Sequence, residues 1–173
     1  MSVISRFRAV CIILLISFAG AHSAFAAAQE LQVFNKWTVY SKKSEAGRIC
    51  FMSSVPTKLD GDYDRANRGE TRVYVTHGPG KSDRNVVSVQ AGYRYSKQSE
   101  VEFKVDGKKT MLFTLDNFAW AQGAEQDQKL IQAMKRGNSL VVTGISSRKN
   151  KTIDTYSLSG FTNAKAFLDK SCP

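Results

Sequence analysis

The residues of this chain with the clearest capacity for chemistry are its cysteines. The chain has 173 residues and three cysteines, at positions 11, 50 and 172. Cys11 lies inside an apolar N-terminal stretch, which leaves Cys50 and Cys172 as an isolated pair. Catalytic redox chemistry would favour a C-x-x-C spacing, and a metal site needs more ligands than the chain offers. In an oxidising compartment such a pair is most simply a disulfide, which we predict here.

His77 is the candidate general base, because the other histidine belongs to the same N-terminal stretch as Cys11. It ends a predicted strand and precedes Gly78-Pro79-Gly80. No G-x-S-x-G motif accompanies it, and no free thiol remains for it to activate. We therefore interpret His77 as a surface or strand-end histidine and predict no catalytic residue. A hydrolase that uses His77 with loop carboxylates is the weaker alternative.

The segment Asp60-Gly61-Asp62-Tyr63-Asp64 has spaced carboxylates, which suit a hard cation such as Ca²⁺. An EF-hand loop that starts at Asp60 needs glycine at position 65 and glutamate at position 71. Arg65 and Thr71 stand there instead. No phosphate-binding glycine motif appears elsewhere. We predict a solvated loop here, with neither a metal nor a cofactor.

Aromatic residues offer one further candidate, a binding face for a ligand or glycan. The residues that could form it are Tyr93, Tyr95, Phe113, Phe118 and Trp120. Aromatic side chains of a β-rich chain usually fill its core, so we predict core positions for these five.

The first 26 residues have the features of a secretory signal peptide in the right order. Arg6 and Arg8 give a positive start, residues 10–18 form a short apolar core, and Ala24-Phe25-Ala26 fits the A-x-A cleavage pattern. Ala26-Ala27-Ala28 fits nearly as well, so Ala24, Ala26 and Ala27 mark the cleavage region. Spanning a bilayer takes roughly 20 apolar residues, and this core is about half that length. We predict a cleaved signal at 1–26 and no transmembrane segment after it.

Removing 26 of the 173 residues leaves 147, the size of a single domain over residues 27–173. The loss of Arg6 and Arg8 takes the formal charge from +10 to +8. This charge favours contact with an anionic surface such as membrane headgroups or polysaccharide. The basic residues are scattered among acids, however, which indicates a solvated basic surface. Export makes nucleic acid a poor partner.

Beyond the signal peptide, short alternating segments are separated by turn signals. This pattern predicts about eight strands in an antiparallel sandwich or barrel. The clearest local signal is Asp106-Gly107, which links two alternating runs and favours a type I′ hairpin. Residues 58–69 are expected to form a polar loop.

Two helices are expected to interrupt the strands. Residues 125–136 place Leu130, Ile131 and Met134 on one face and end at a glycine. The second helix is expected over about 163–170, with Thr162 as its N-cap.

Several segments together resemble the bacterial invasion-associated locus B family. They are Trp37-Thr38-Val39-Tyr40, Cys50-Phe51-Met52-Ser53, residues 84–89, residues 133–137, residues 154–161 and the terminal Cys172-Pro173. The order and spacing of these segments carry the resemblance, which covers nearly all of the chain beyond the signal peptide. It implies a mainly β fold, an immunoglobulin-like antiparallel β-sandwich with two short helices, and no known catalytic residues.

The resemblance also implies an exported cell-envelope protein of a Gram-negative bacterium, in the periplasm or associated with the outer membrane. Such a protein is expected to bind an envelope protein or a host-cell surface component, and to contribute to host-cell invasion or envelope integrity. Many members have a cysteine shortly after the tryptophan, where this chain reads Tyr40-Ser41-Lys42, so Cys50 must pair with Cys172. The alternative is a chaperone-like periplasmic module that pairs a sheet edge with client strands.

Overall fold

The computed structural model describes residues 27–172, and these residues are mainly antiparallel β-structure. The strands, in chain order, are β1 (Gln29–Phe34), β2 (Trp37–Ser44), β3 (Gly47–Ser54), β4 (Lys58–Gly61), β5 (Arg72–His77), β6 (Val86–Gln90), β7 (Glu100–Val105), β8 (Lys108–Leu115), β9 (Phe118–Trp120), β10 (Ser139–Ile145) and β11 (Lys151–Ser157). The helices are α1 (Ala124–Arg136) and α2 (Phe161–Ser171), and short 3-10 turns lie at Arg65–Asn67 and Lys81–Asp83.

The strands join into one hydrogen-bonded sheet in the order β1-β2-β3-β5-β6-β9-β8-β7-β10-β11-β4. The two halves of this sheet face each other. Tyr156 of β11 shares a 3.1 Å hydrogen bond between hydroxyls with Thr71, the residue before β5. The indole Nε1 of Trp37 on β2 donates to the carbonyl of Ser157 at 3.1 Å. Because these strands are far apart in the strand order, the sheet must fold over itself, which confirms the predicted mainly β sandwich with two helices.

Side chains of alternating strand positions fill the space between the two layers. Trp37, Phe103 and Leu140 are fully buried there. Both helices add to this core, and the ring of Phe161 on α2 meets Trp37 edge-on with centroids 4.9 Å apart. Each such ring buries a large apolar area, which stabilises the sandwich.

The structure has eleven strands within the described residues, where the sequence predicts about eight. One difference lies in residues 58–69, predicted to be a polar loop, which begin with β4 paired to β11 through Leu59 and Asp154. β4 is a four-residue edge strand whose residues are mostly exposed, so it has no hydrophobic alternation. β9 has three residues, too few to show a period of two.

The hairpin between β7 and β8 follows the prediction. Asp106 has φ of 42° and Gly107 has φ of 88°, and Val105 pairs with Lys108 across the turn. Two positive φ values in a two-residue link define the type I′ turn.

The start of α2 differs from the prediction that Thr162 is its N-cap. The helix begins at Phe161, and the capping position is Gly160, with φ of 94°. A Cβ atom at Gly160 would clash with the carbonyl oxygen of Phe34, so only glycine fits. Thr162 instead donates its hydroxyl to the carbonyl of Lys135 at 3.2 Å, which links the two helices.

Candidate functional site

A row of aromatic side chains crosses the outer face of the sheet. Strand alternation puts them there, because their neighbours along each strand point into the core. On β9, for example, Ala119 is fully buried, so Phe118 and Trp120 point outward. We define the aromatic strip as this row of outward-facing rings. Its members are Tyr40, Phe51, Tyr74, Phe113, Phe118 and Trp120.

The rings of the strip contact one another across the strands. Tyr40 stacks on Phe51 with centroids 5.1 Å apart, and Phe51 meets Tyr74 edge-on at 5.8 Å. Tyr74 lies 6.4 Å from Phe118, which stacks on Trp120 at 5.5 Å. All four separations fall in the range of about 4.5–7 Å that aromatic pairs prefer. The rings therefore hold each other in place on the solvent side of the sheet.

The strip ends in exposed apolar surface on β8. Phe113 is the register partner of Trp120, and Leu115 is the register partner of Phe118. Phe113 is 41% exposed and Leu115 is 65% exposed, while the other rings are half-buried. Contiguous apolar surface of this kind marks interaction sites on soluble domains.

Polar groups lie among these rings. The Tyr74 hydroxyl donates to Oε1 of Gln90 at 2.8 Å, and Arg72 donates from Nη1 to the hydroxyl of Ser53 at 3.3 Å and from Nε to Glu70 at 2.6 Å. Burial raises the pKa of Tyr74, so its hydroxyl remains a hydrogen-bond donor at neutral pH. Aromatic residues and arginine are the side chains in which protein interfaces are enriched.

α2 lies on the opposite side of this half of the sheet. Phe161 of this helix meets Trp37 edge-on, and Asp169 is hydrogen-bonded to His77, both on the inward-facing side. The strip is therefore open to solvent on the face that this helix does not reach.

The predicted core position is wrong for three of the five aromatic residues. Phe113, Phe118 and Trp120 face outward in the strip, whereas Tyr95 is 4% exposed and belongs to the core. Tyr93 is half-buried at a separate cleft. The segment Phe118-Ala119-Trp120 places both large rings on one face, but three residues are too few to show from the sequence that this face is the outer one.

His77 is the last residue of β5, as predicted, but it is 1% exposed and is not a surface residue. Its Nε2 lies 2.9 Å from Oδ1 of Asp169, and its Nδ1 accepts from the backbone N–H of Asn85 at 3.1 Å. Both ring nitrogens are thus engaged. Burial lowers the pKa of His77, which favours the neutral ring. Sequence spacing could not reveal Asp169, which lies 92 residues away on α2.

A cavity of about 300 Å³ borders His77. Its other lining residues are Ala46, Gly47, Arg48, Cys50, Gly78, Pro79 and Cys172. A hydrolase needs a carboxylate near the histidine, and Asp169 provides one. It also needs a nucleophile and a free ring nitrogen. This lining supplies no hydroxyl or free thiol, and His77 has no ring nitrogen to spare.

Cys50 on β3 and Cys172 after α2 form a disulfide that spans 122 residues of sequence, with their Cα atoms 6.2 Å apart. Two arginines secure the same end of the helix. Arg84 donates to the carbonyl of Cys172 at 3.0 Å, and Arg48 donates to the carbonyl of Ser171 at 3.4 Å. These contacts fix the C-terminal end of α2 against the sheet.

Two of the three carboxylates considered for calcium, Asp60 and Asp64, have protein partners. Asp60 pairs with Lys58 at 2.9 Å, and Asp64 accepts from the backbone of Ala66 and the side chain of Asn67. Among residues 27–172, no group of three potential metal-ligating side chains converges.

Of the residues assigned to signal cleavage, Ala24 and Ala26 lie outside the described residues, and Ala27 is exposed just before β1. Neither helix of the described chain is long and apolar enough to cross a membrane.

Comparisons with known proteins agree with this architecture. No curated protein matches the chain. The crystal structure of invasion associated protein b from Bartonella henselae is similar, with a TM-score of 0.54 and 16% sequence identity, over 84% of this chain and 96% of that one. At that identity the likeness shows the fold alone. The family model described as invasion associated locus B (IalB) protein matches residues 37–169. The chain is therefore a member of the invasion associated locus B family.

Proposed function

We propose that this protein is an exported binding protein of the bacterial cell envelope, and that its aromatic strip docks a protein partner. The partner is an envelope protein or a protein on the host-cell surface. The observation that carries the proposal is the strip itself, a row of rings in mutual contact on the outer face of the sheet. The signal-like residues 1–26 support export.

The chemistry of the strip suits a protein partner with apolar and acidic side chains. Tyrosine and tryptophan supply large contact areas at a low cost in conformational entropy, and such residues dominate interface energetics. The formal charge of +8 that remains after loss of Arg6 and Arg8 from the +10 of the whole chain favours approach of an acidic surface.

The printed name of the Bartonella protein, invasion associated protein b, supports a contribution to host-cell invasion. Maintenance of the envelope is the other contribution that we consider. Deleting the gene and measuring host-cell entry and envelope permeability separately distinguishes these two roles.

Binding is favoured over catalysis because the His77 cavity has no nucleophile in its lining. The family is not known for an enzymatic activity. A hydrolase is therefore the weaker proposal.

The chaperone-like alternative requires a sheet edge that can accept a client strand. Within the described chain, β1 and β4 end the strand order. The register of β1 shifts between Glu30 and Gln32, and β4 has four residues including the ion pair of Lys58 and Asp60. Bulges, charges and short length are the features that protect edges against strand addition. These edges therefore support the alternative less than the strip supports docking.

Photo-crosslinking in the native organism tests the docking proposal. A photoreactive phenylalanine analogue at Phe113 is expected to yield a discrete protein adduct, identified by mass spectrometry. The same analogue at Val33, which is 48% exposed on β1, provides the control. Identical adducts from both positions, or none from Phe113, would contradict the proposal.

A matched pair of variants then measures the contribution of the strip. Phe113→Ser with Leu115→Ser removes exposed apolar surface from the strip, and Val33→Ser with Val55→Ser removes it elsewhere. We expect the first variant to bind the crosslinked partner at least tenfold more weakly and the second to bind it normally. Equal affinities for the partner would show that the strip is not the docking surface.

Fractionation tests export independently of docking. The protein is expected in the envelope fraction with an N-terminus after Ala26 or Ala28. Recovery of the uncleaved chain from the cytoplasm would refute the export proposal.

A further inference from the structure

A concave surface lies apart from the aromatic strip and shares no residue with it. It is a cleft of about 380 Å³ between three loops: residues 63–68 after β4, residues 92–94 after β6, and residues 146–150 between β10 and β11. Loops that meet at the end of a β-sandwich commonly carry binding sites, since the sheets below hold them in place.

The floor of this cleft is a buried arginine. The guanidinium of Arg68 lies 5.2 Å from the ring centroid of Tyr63 and 5.1 Å from that of Tyr93. It donates two hydrogen bonds to Asp154, at 2.7 and 2.6 Å, and one from Nε to the carbonyl of Ala91 at 2.8 Å. The side chains of Arg68 and Asp154 are 4% and 3% exposed. Because Asp154 neutralises its charge, Arg68 forms a rigid floor. Other residues must then pair with the charge of a ligand.

Two further arginines line the cleft, and their positive charges can pair with a ligand. Arg148 makes no ion pair or side-chain hydrogen bond within the described part of the chain. Arg94 has only a 3.6 Å contact with Asp116, and these side chains are 75% and 68% exposed. An ion pair this open to solvent has little strength, so Arg94 can turn to a ligand.

The remaining polar lining consists mainly of hydrogen-bond donors. Ser147 and Asn150 add a hydroxyl and an amide from the β10–β11 turn. Asp64 is the acid in the lining, and its two carboxylate oxygens already accept hydrogen bonds from Ala66 N at 3.0 Å and Asn67 Nδ2 at 2.6 Å. The cleft therefore offers positive charge and donors, and its one carboxylate is occupied.

We propose that this cleft binds the oxyanion group of a small polar ligand, a carboxylate, phosphate or sulfate, between Arg94 and Arg148. The planar fork of guanidinium donors matches these groups in charge and shape. Ser147 and Asn150 donate to the same group or to neighbouring hydroxyls, as on an acidic sugar. This site is independent of the protein-docking function proposed for the strip.

Amide chemical shifts of the isotope-labelled protein test the site at constant ionic strength. Glucuronate, inorganic phosphate and inorganic sulfate are the probes. We expect at least one of them to produce saturable shifts at residues 146–150 and 92–94. Tightest binding of glucuronate indicates an acidic sugar as the source of the oxyanion, and tightest binding of phosphate or sulfate indicates an ester of that acid. The absence of saturable shifts with all three probes would overturn the proposal.

Two double variants that remove the same charge distinguish binding at this site from general attraction of an anion to a basic protein. Arg94→Gln with Arg148→Gln is expected to weaken the tightest probe about tenfold or more. Lys108→Gln with Arg136→Gln removes the same charge from exposed positions outside the cleft and is expected to leave the affinity unchanged. Equal losses in both variants would refute the site. A Phe113→Ser, Leu115→Ser variant that retains probe binding separates this result from the docking test.

Discussion

His77 at the end of β5 donates a hydrogen bond from Nε2 to Oδ1 of Asp169 on α2, over 2.9 Å. The donor assignment follows because Nδ1 accepts from the N–H of Asn85. Oδ2 of Asp169 also accepts a hydrogen bond from Nζ of Lys165 at 2.7 Å, and the side chain of Lys165 is only 5% exposed. Burial acts to raise the pKa of Asp169, but the hydrogen bonds from Lys165 and His77 outweigh it and hold that pKa below its usual value. This cluster fastens the C-terminal helix to the sheet.

The His77 cluster predicts that the protein loses stability in mild acid. Burial lowers the pKa of His77, Arg84 and Lys165 lower it further by their charge, and Asp169 opposes them. The unfolded chain therefore binds a proton more readily than the folded one below about pH 6.5, the ordinary histidine pKa. The contribution of His77 to the free energy of unfolding should be fully present above that pH. It should be lost as the pH falls through the pKa of His77 in the folded protein. Urea denaturation from pH 7.5 to 5 measures this, with His77→Gln expected to flatten the slope.

Loss of the disulfide should lower stability without abolishing the fold. Closing a loop of about 120 residues is worth on the order of 4–5 kcal/mol in the chain-entropy model. We expect Cys50→Ser with Cys172→Ser to lower the free energy of unfolding by about that amount. Urea denaturation of the reduced wild-type protein provides the control. A double variant as stable as the oxidised protein would contradict the prediction.

Breaking the buried ion pair of Arg68 and Asp154 by removing one partner should destabilise the protein strongly. Arg68→Met leaves the Asp154 carboxylate buried without its partner, at a cost of about 3–5 kcal/mol. Adding Asp154→Leu removes the stranded charge, so the double variant should recover much of that loss. A double-mutant cycle by urea denaturation measures the coupling between these residues. Additive losses would show that the two side chains act independently.

Truncating two adjacent residues on β8 should lower stability by very different amounts. Leu112 is fully buried, and Leu112→Ala should cost about 2–5 kcal/mol of stability because it leaves a cavity. Phe113 faces outward in the strip, so Phe113→Ala should cost less than about 1 kcal/mol. Thermal unfolding of the two variants in parallel provides the measurement. Similar losses would place Phe113 in a packed environment and remove it from the strip.

Features that depend on adjacent residues could be predicted from the sequence. Asp106-Gly107 specifies its own turn, because few residues tolerate two successive positive φ values. The disulfide joins distant residues, but it was predictable because only two candidate cysteines remained beyond the predicted signal peptide. The apolar face of α1 was likewise evident from the spacing of Leu130, Ile131 and Met134.

Apart from the disulfide, features that depend on distant residues could not be predicted. The capping position of α2 is decided by the close approach of Phe34, far away in the sequence, to Gly160. The partner of His77 is likewise supplied by a helix whose position depends on the whole fold. To predict the strip, one must know which of the two alternating faces of each strand is buried. For short strands such as β9, the neighbouring strands decide which face that is.

The bridge between Cys50 and Cys172 also determines how the protein responds to a protease. It encloses β4 to β11 and both helices, whereas β1 and β2 precede Cys50. A single cut in any loop between the two cysteines leaves both pieces joined covalently, so the chain migrates as one species until it is reduced. A cut in the link between β1 and β2, by contrast, leaves the edge strand β1 with no covalent bond to the rest of the protein.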